Sequence, residues 1–432
     1  MRPANHLPLL AITFLESFAT VLLERGLYFY THERLAFSDA ANLWLALAFG
    51  VAYAGGAMAC HRLTQKWGEK RLLWISVAAQ MVLHGAMAAV AQTGALTAAI
   101  LLAFPLVGLG NGLKWPVVES YISAGLPPEH TLRAIGRFNV AWAVTVPLAV
   151  WATGPMIAWP WPWLLFAAAA AVNVVTLILM RPLPPVPTHL EPDHPQRPAP
   201  QELRRYAAML AGSRWSMLAG YILLFLLAPL MPRIFADLGL GVQRATQLAA
   251  MLDVMRLLVF LVMGTVTLWH GRLGVLLAAS LGLPLGALAV LYGSHLALVL
   301  AGEILFGAAM GLVYYCALYY AMVIKNASVE AGGAHESLVG LGLALGPMTG
   351  LVGQLLAGTV GPTAGVMIGV TPLVLVCLVG GLWPLARLRT EAAAATTLPL
   401  QASSAREAMA AQPTAAPAWT PAPPTPDEDT PA

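Results

Sequence analysis

The chain is dominated by apolar runs about as long as a bilayer is thick. One of them, ALTAAILLAFPLV from Ala95, passes directly into GLGNGLKWPVVESYISAG, which ends at Gly125. A hydrocarbon core of ~30 Å is crossed by ~20 apolar residues of helix. Twelve such runs can be marked, at 7–28, 42–60, 72–92, 96–123, 132–155, 160–181, 206–231, 245–268, 273–293, 295–323, 334–358 and 364–386. Backbone exposed to lipid must satisfy its own hydrogen bonds, so these are predicted to be helices. The expected fold class is an all-α integral membrane protein with twelve transmembrane helices. Composition agrees: 59% of the 432 residues are hydrophobic and 10% are charged, against roughly a quarter charged in an average soluble domain. The net charge of +3, with no basic cluster, argues against nucleic acid as a partner. Cys60, Cys316 and Cys377 sit in or beside apolar runs. They read as small hydrophobes, and no metal or other cofactor is expected. The first run contains Glu16 and no small-residue cleavage site follows it, so it reads as a span and not as a signal peptide.

The proline-rich stretch RPLPPVPTHLEPDHPQRPAPQELRR, 181–205, divides the spans six and six. The expected organisation is a six-helix bundle over 1–181, a cytoplasmic linker over 182–205, a second bundle over 206–390 and a disordered tail over 391–432. Basic residues set the orientation. Even-numbered loops and their edges hold twelve lysines and arginines, among them Arg62, Lys66, Arg133, Arg137 and Lys325, against Arg34, Arg233 and Arg244 in the odd ones. Both termini are therefore expected in the cytoplasm of a plasma-membrane protein, which is expected to act as a monomer. A weak repeat links the halves. Gly108, Gly112, Leu113, Trp115 and Tyr121 in span four match Gly307, Gly311, Leu312, Tyr314 and Tyr320 in span ten, at a constant offset of 199. Parallel six-helix repeats are the plan of many secondary transporters.

With that span count, central linker and repeat, the chain resembles the major facilitator superfamily over 7–386. The loop after span two in that family reads G-x-L-x-D-R-x-G-x-K/R-K/R. Here HRLTQKWGEKRL, 61–72, keeps Leu63, Gly68, Lys70 and Arg71, while Gln65 replaces the aspartate. The resemblance implies a cytoplasmic latch at this loop, so Lys70 and Arg71 are candidate gating residues, and the latch is expected to be rewired without its acid. The corresponding loop GTVTLWHGRL, 264–273, keeps Gly264, Gly271 and Arg272. The resemblance also implies that helices one, four, seven and ten line a central cavity.

Charge inside a membrane is costly and usually faces a cavity or a partner. The candidates are Glu16, Lys114, Glu119, Arg214, Asp253, Arg256 and Glu303. Asn111, Trp115 and Glu119 recur at i, i+4 and i+8, one helix face that offers an amide, a flat indole and a carboxylate. With Lys114, and with Tyr314 by the repeat, they are the expected substrate-binding residues. Glu16, Glu119 and Glu303 are the candidates for proton coupling. Asp253 and Arg256, at i and i+3, read as an internal ion pair. Glu24 and Arg25 read as interfacial charges. His335 and Glu336 open span eleven, where helix capping is the first explanation and a gate contact the second.

The function expected is a secondary active transporter, proton-coupled, that moves a small organic solute by alternating access. The alternatives are an uncoupled facilitator and a non-transporting membrane receptor or assembly protein. No G-x-x-x-x-G-K-[ST] motif supports an ATP-driven pump. No catalytic cluster supports an enzyme.

Overall fold

The computed structural model describes residues 7–122, 128–187, 200–325 and 329–410. No strand occurs among them. The first half holds α1 (Leu7–Glu24) and α2 (Gly26–Leu35), α3 (Asp39–Trp67), α4 (Glu69–Val90), α5 (Leu96–Ile122), α6 (Pro128–Ala143) with α7 (Thr145–Ala158), and α8 (Leu164–Leu179). The second holds α9 (Pro200–Leu227) with α10 (Met231–Asp237), α11 (Val242–Ala249) with α12 (Met251–Thr265), α13 (Leu273–Leu291), α14 (Leu296–Lys325), α15 (Val329–Val360) and α16 (Pro362–Ala410). Eleven of the resulting segments are long and apolar enough to cross a membrane. The shorter apolar helix α8 supplies the twelfth. The sixteen residues of α8 cover ~24 Å at 1.5 Å per residue.

Local chemistry sets several breaks. Ser38 caps α3 by accepting from the Ala41 N–H at 3.2 Å. Gly68, at φ +81°, divides α3 from α4 in a conformation that side chains rarely adopt. The first span continues past residue 28, through a kink at Arg25, to Leu35. Span seven kinks likewise between α9 and α10.

Large apolar side chains cover the outside, as lipid contact requires: Leu355 is 83% exposed and Leu102 73%. The two bundles meet along two seams, α3 against α15 and α6–α7 against α11–α12. The first seam is close-packed backbone. A Cβ on Gly50 would collide with the Leu343 carbonyl, and one on Gly340 with the Ala54 backbone.

Residues to Leu385 form one compact unit, and the site lies within it. Of the second unit, Ala386–Ala432, the described part is helical backbone to Ala410. The alanine run at 392–395 favours helix there. The rest of the expected tail, and positions 188–199 of the expected linker, lie outside the described residues. The linker's last residues, from Pro200, are already the first turns of α9.

Candidate functional site

Between the bundles lies a cavity of about 100 Å³, room for several waters. Its walls come from both halves. Glu24 and Arg25 flank the α1–α2 kink, Tyr53 comes from α3, and Trp115 and Glu119 from α5. Trp142 belongs to α6, Tyr221 and Phe225 to α9, Arg256 to α12, Tyr314 to α14 and Glu336 to α15. Trp115 and Tyr314, the aromatic pair of the internal repeat, thus face the same space from opposite bundles.

Three charge clusters surround the cavity. The first lies behind its wall, inside the first bundle. Lys114 is 1% exposed. Its ammonium donates to Glu16 Oε2 at 2.7 Å, Gln80 Oε1 at 3.0 Å and Thr20 Oγ1 at 3.3 Å. Asn173 donates to both Glu16 oxygens at 3.0 and 3.2 Å, and its own Oδ1 lies 2.8 Å from His84 Nδ1. Gln80 and Thr20 donate to Asn111 Oδ1 at 2.7 and 3.3 Å. Every charge here has its opposite and several hydrogen bonds, the condition under which burial is tolerated. Glu16, Lys114 and Asn111 are therefore knit to one another and do not line the cavity. For Asn111 the reason is geometric. Eight residues of helix turn about 80° past two full turns, enough to rotate Asn111 away from the face that carries Glu119.

The second cluster joins the bundles. Asp253 accepts from Arg256 at 2.7 Å and from Arg25 at 3.2 Å, so one carboxylate holds a guanidinium from each half. Arg256 also lies over the Trp142 ring, 4.7 Å from its centroid. The expected Asp253–Arg256 pair is present with a third member. Glu24 and Arg25 are not interfacial, because the first span extends to Leu35 and carries them well inside it.

The third cluster also crosses between the halves. Glu119 on α5 and His335 and Glu336 on α15 are buried, with potential ligand atoms within 4.8 Å of one another. Tyr53 Oη donates to Glu336 Oε2. Among the described residues, neither Glu119 oxygen has a donor other than a proton on Glu336, and neither His335 ring nitrogen has a hydrogen-bond partner. The Glu119 and Glu336 carboxyls are close enough to hydrogen-bond, which requires a proton on one of them. Capping does not explain His335 and Glu336, since α15 starts at Val329 and carries Glu330 in its first turn. Their spacing also brings together a group that could hold a cation. A metal-ligating imidazole normally has an oriented second nitrogen, and His335 lacks that partner.

Glu303 on α14 is fully buried and both its oxygens lack donors.

A family model described as Major Facilitator Superfamily matches residues 7–347. The chain belongs to the Major Facilitator Superfamily. The fold agrees with solved transporter structures. The human organic anion transporter MFSD10 (TETRAN) aligns at TM-score 0.62 and 14% identity, over 88% of this chain and all of that one. The nucleoside transporter NupG aligns at TM-score 0.61 and 15% identity, over 89% of this chain and 99% of that one. A search of curated proteins returns no match.

The superfamily loop after span two is rewired. Among the described residues Lys70 forms no ion pair. Its ammonium donates to the Arg181 and Leu183 carbonyls at 2.7 and 2.6 Å. Arg71 is exposed beside it. With Gln65 in the aspartate's place, the loop grips the start of the linker, where Tyr121 also donates to the Pro184 carbonyl at 2.8 Å. The second-half loop is held from the linker's other end, by Arg205 donating to the Gly271 carbonyl at 3.0 Å.

Tyr53, Trp142, Tyr221, Glu24 and Arg25 are cavity residues that sequence reasoning missed. Tyr53 had a signal, a lone aromatic among small residues in AYAGGAMA. Trp142 and Tyr221 had none that separates them from ordinary packing aromatics.

Proposed function

We propose that the protein is a secondary active transporter, not an enzyme, that carries a small organic solute across the plasma membrane by alternating access. Its termini face the cytoplasm, it acts as a monomer, and solute movement is coupled to protons. One observation carries the reading. Glu119 and Glu336, contributed by opposite bundles, meet at a buried cavity without a dedicated cation. Two buried carboxylates in contact cannot both stay ionised, so the pair holds a proton that a solute can displace or accompany. Glu303, buried without a donor, is the second candidate for proton binding. Glu16, though expected as a proton site, is already neutralised by Lys114, and we assign it a structural role.

Alternating access is supported by how the cavity is bounded. On the side of the chain start, α5 meets α15 through the acid pair. On the opposite side, Arg233 pairs with Asp39 at 2.5 Å, and the Trp151 indole donates to the Gln247 carbonyl at 3.1 Å. Both sets of contacts join the two bundles, so opening either side requires breaking one set and keeping the other.

The test is reconstitution in proteoliposomes with a pH dye inside. Sugars, nucleosides, amino acids, peptides, organic anions and amphipathic cations are added in turn. Solute-dependent proton flux in the wild type, lost in Glu119→Gln, is expected. Counterflow of a solute without proton flux would replace this reading by the facilitator. No movement of any solute would leave a receptor or assembly role.

A further inference from the structure

We propose that the cavity takes a small organic cation, a quaternary or protonated amine, which competes with protons for the Glu119–Glu336 pair. The proposal rests on the transporter reading above and names its substrate class.

The charges that face the cavity decide the sign. Three carboxylates that line it, Glu24, Glu119 and Glu336, with Asp253 behind the arginines, stand against two guanidinium groups, Arg25 and Arg256. Asp253 holds both arginines, and Glu24 adjoins Arg25 in the chain, so that end of the cavity is balanced. Lys114 is spent on Glu16 behind the wall. Arg214, on α9, is not among the residues that line the cavity. Glu119 and Glu336 are thus left over. With one shared proton, and with the adjoining His335 neutral, they keep one negative charge, the complement of a monocation. A second proton cancels that charge and releases the cation. One cation entering therefore expels one proton.

The walls decide between an organic cation and a bare metal ion. Tyr53, Trp115, Tyr221, Phe225 and Tyr314 line the same cavity as the acids. Aromatic faces attract alkylammonium groups strongly when both are desolvated. A metal would instead need oriented ligands, and His335 has no second partner to orient it. An anionic solute would have to approach the unpaired carboxylates, because both arginines are already engaged.

The experiment uses the full chain in nanodiscs with radiolabelled tetramethylammonium and tetraethylammonium, whose charge does not change with pH. Para-aminohippurate, uridine and zinc serve as competitors. Saturable binding of a tetraalkylammonium is expected. It should weaken by up to about tenfold per unit of acidification, the limit for one competing proton. Glu119→Gln and Glu336→Gln are each expected to weaken it about 30-fold. The pH competition in the wild type decides the matter should a variant fail to fold. Binding of neither cation by monodisperse wild type would overturn the proposal. So would binding independent of pH, or displacement by uridine or para-aminohippurate at lower concentration than by cold cation. Zinc binding at this pair that excludes both cations would overturn it as well. Proton flux driven by a neutral or anionic solute in the proteoliposomes would sink the cation class while leaving the transporter reading intact.

Discussion

Lys114 and Glu119 sit five residues apart on one helix, and both are 1% exposed. Their surroundings are opposite. Lys114 is held by an acid, an amide and a hydroxyl, all from its own bundle. Among the described residues Glu119 has no donor apart from the proton it shares with Glu336, and the His335 and Glu336 beside it come from the other bundle. The difference teaches how to separate buried charge that builds a fold from buried charge that works. A complete set of partners fixes a side chain in one state. An incomplete set leaves a group whose charge depends on what arrives.

Substitutions can break that comparison, and the largest effect on stability belongs to the complete set. Lys114→Met strands Glu16 without a cation and is expected to cost about 3–5 kcal/mol. A fall in the melting temperature of the purified protein would show it. The double variant Glu16→Gln with Lys114→Met should recover much of that loss, which a double-mutant cycle measures. A fully additive double variant would contradict the pairing. Tyr53→Phe removes the donor on Glu336 and is expected to cost about 1–3 kcal/mol, with a changed pH profile of transport. Arg233→Ala breaks a partly exposed pair and should cost about 1 kcal/mol or less. Glu119→Gln keeps an amide that can still donate to Glu336, so its melting point should hold within about 1 kcal/mol of wild type while coupled flux is lost. If Glu119→Gln unfolds the protein and Lys114→Met leaves it untouched, the contrast drawn between the two residues is wrong.

The spans were legible because lipid permits so little else. A run of apolar residues must be a helix there, and its length is fixed by the membrane. Contacts within one helix were legible for a similar reason. Asp253 and Arg256 lie one turn apart, and Trp115 and Glu119 one turn apart on a shared face. The misreadings came where distance along the chain hides proximity. Glu16 and Lys114 are 98 positions apart, and nothing local marks them as partners. Glu24 and Arg25 were lost to a span boundary set several residues early. His335 and Glu336 read first as a cap, and second as a gate contact, because the apolar run begins later than the helix does. The internal repeat supplied what local pattern could not: it paired Trp115 with Tyr314 across the two bundles, and both line the cavity.

The seam between α3 and α15 has its own consequence. Gly50 and Gly340 bring backbone against backbone at two points of that seam. Ridges that mesh must unlock before two helices can roll, and each unlocking is a barrier. A surface stripped of ridges behaves as a bearing: it carries the load of close contact without fixing an angle. A single methyl group at either glycine would act as grit in it, jamming the motion in whichever orientation still leaves room for the added carbon.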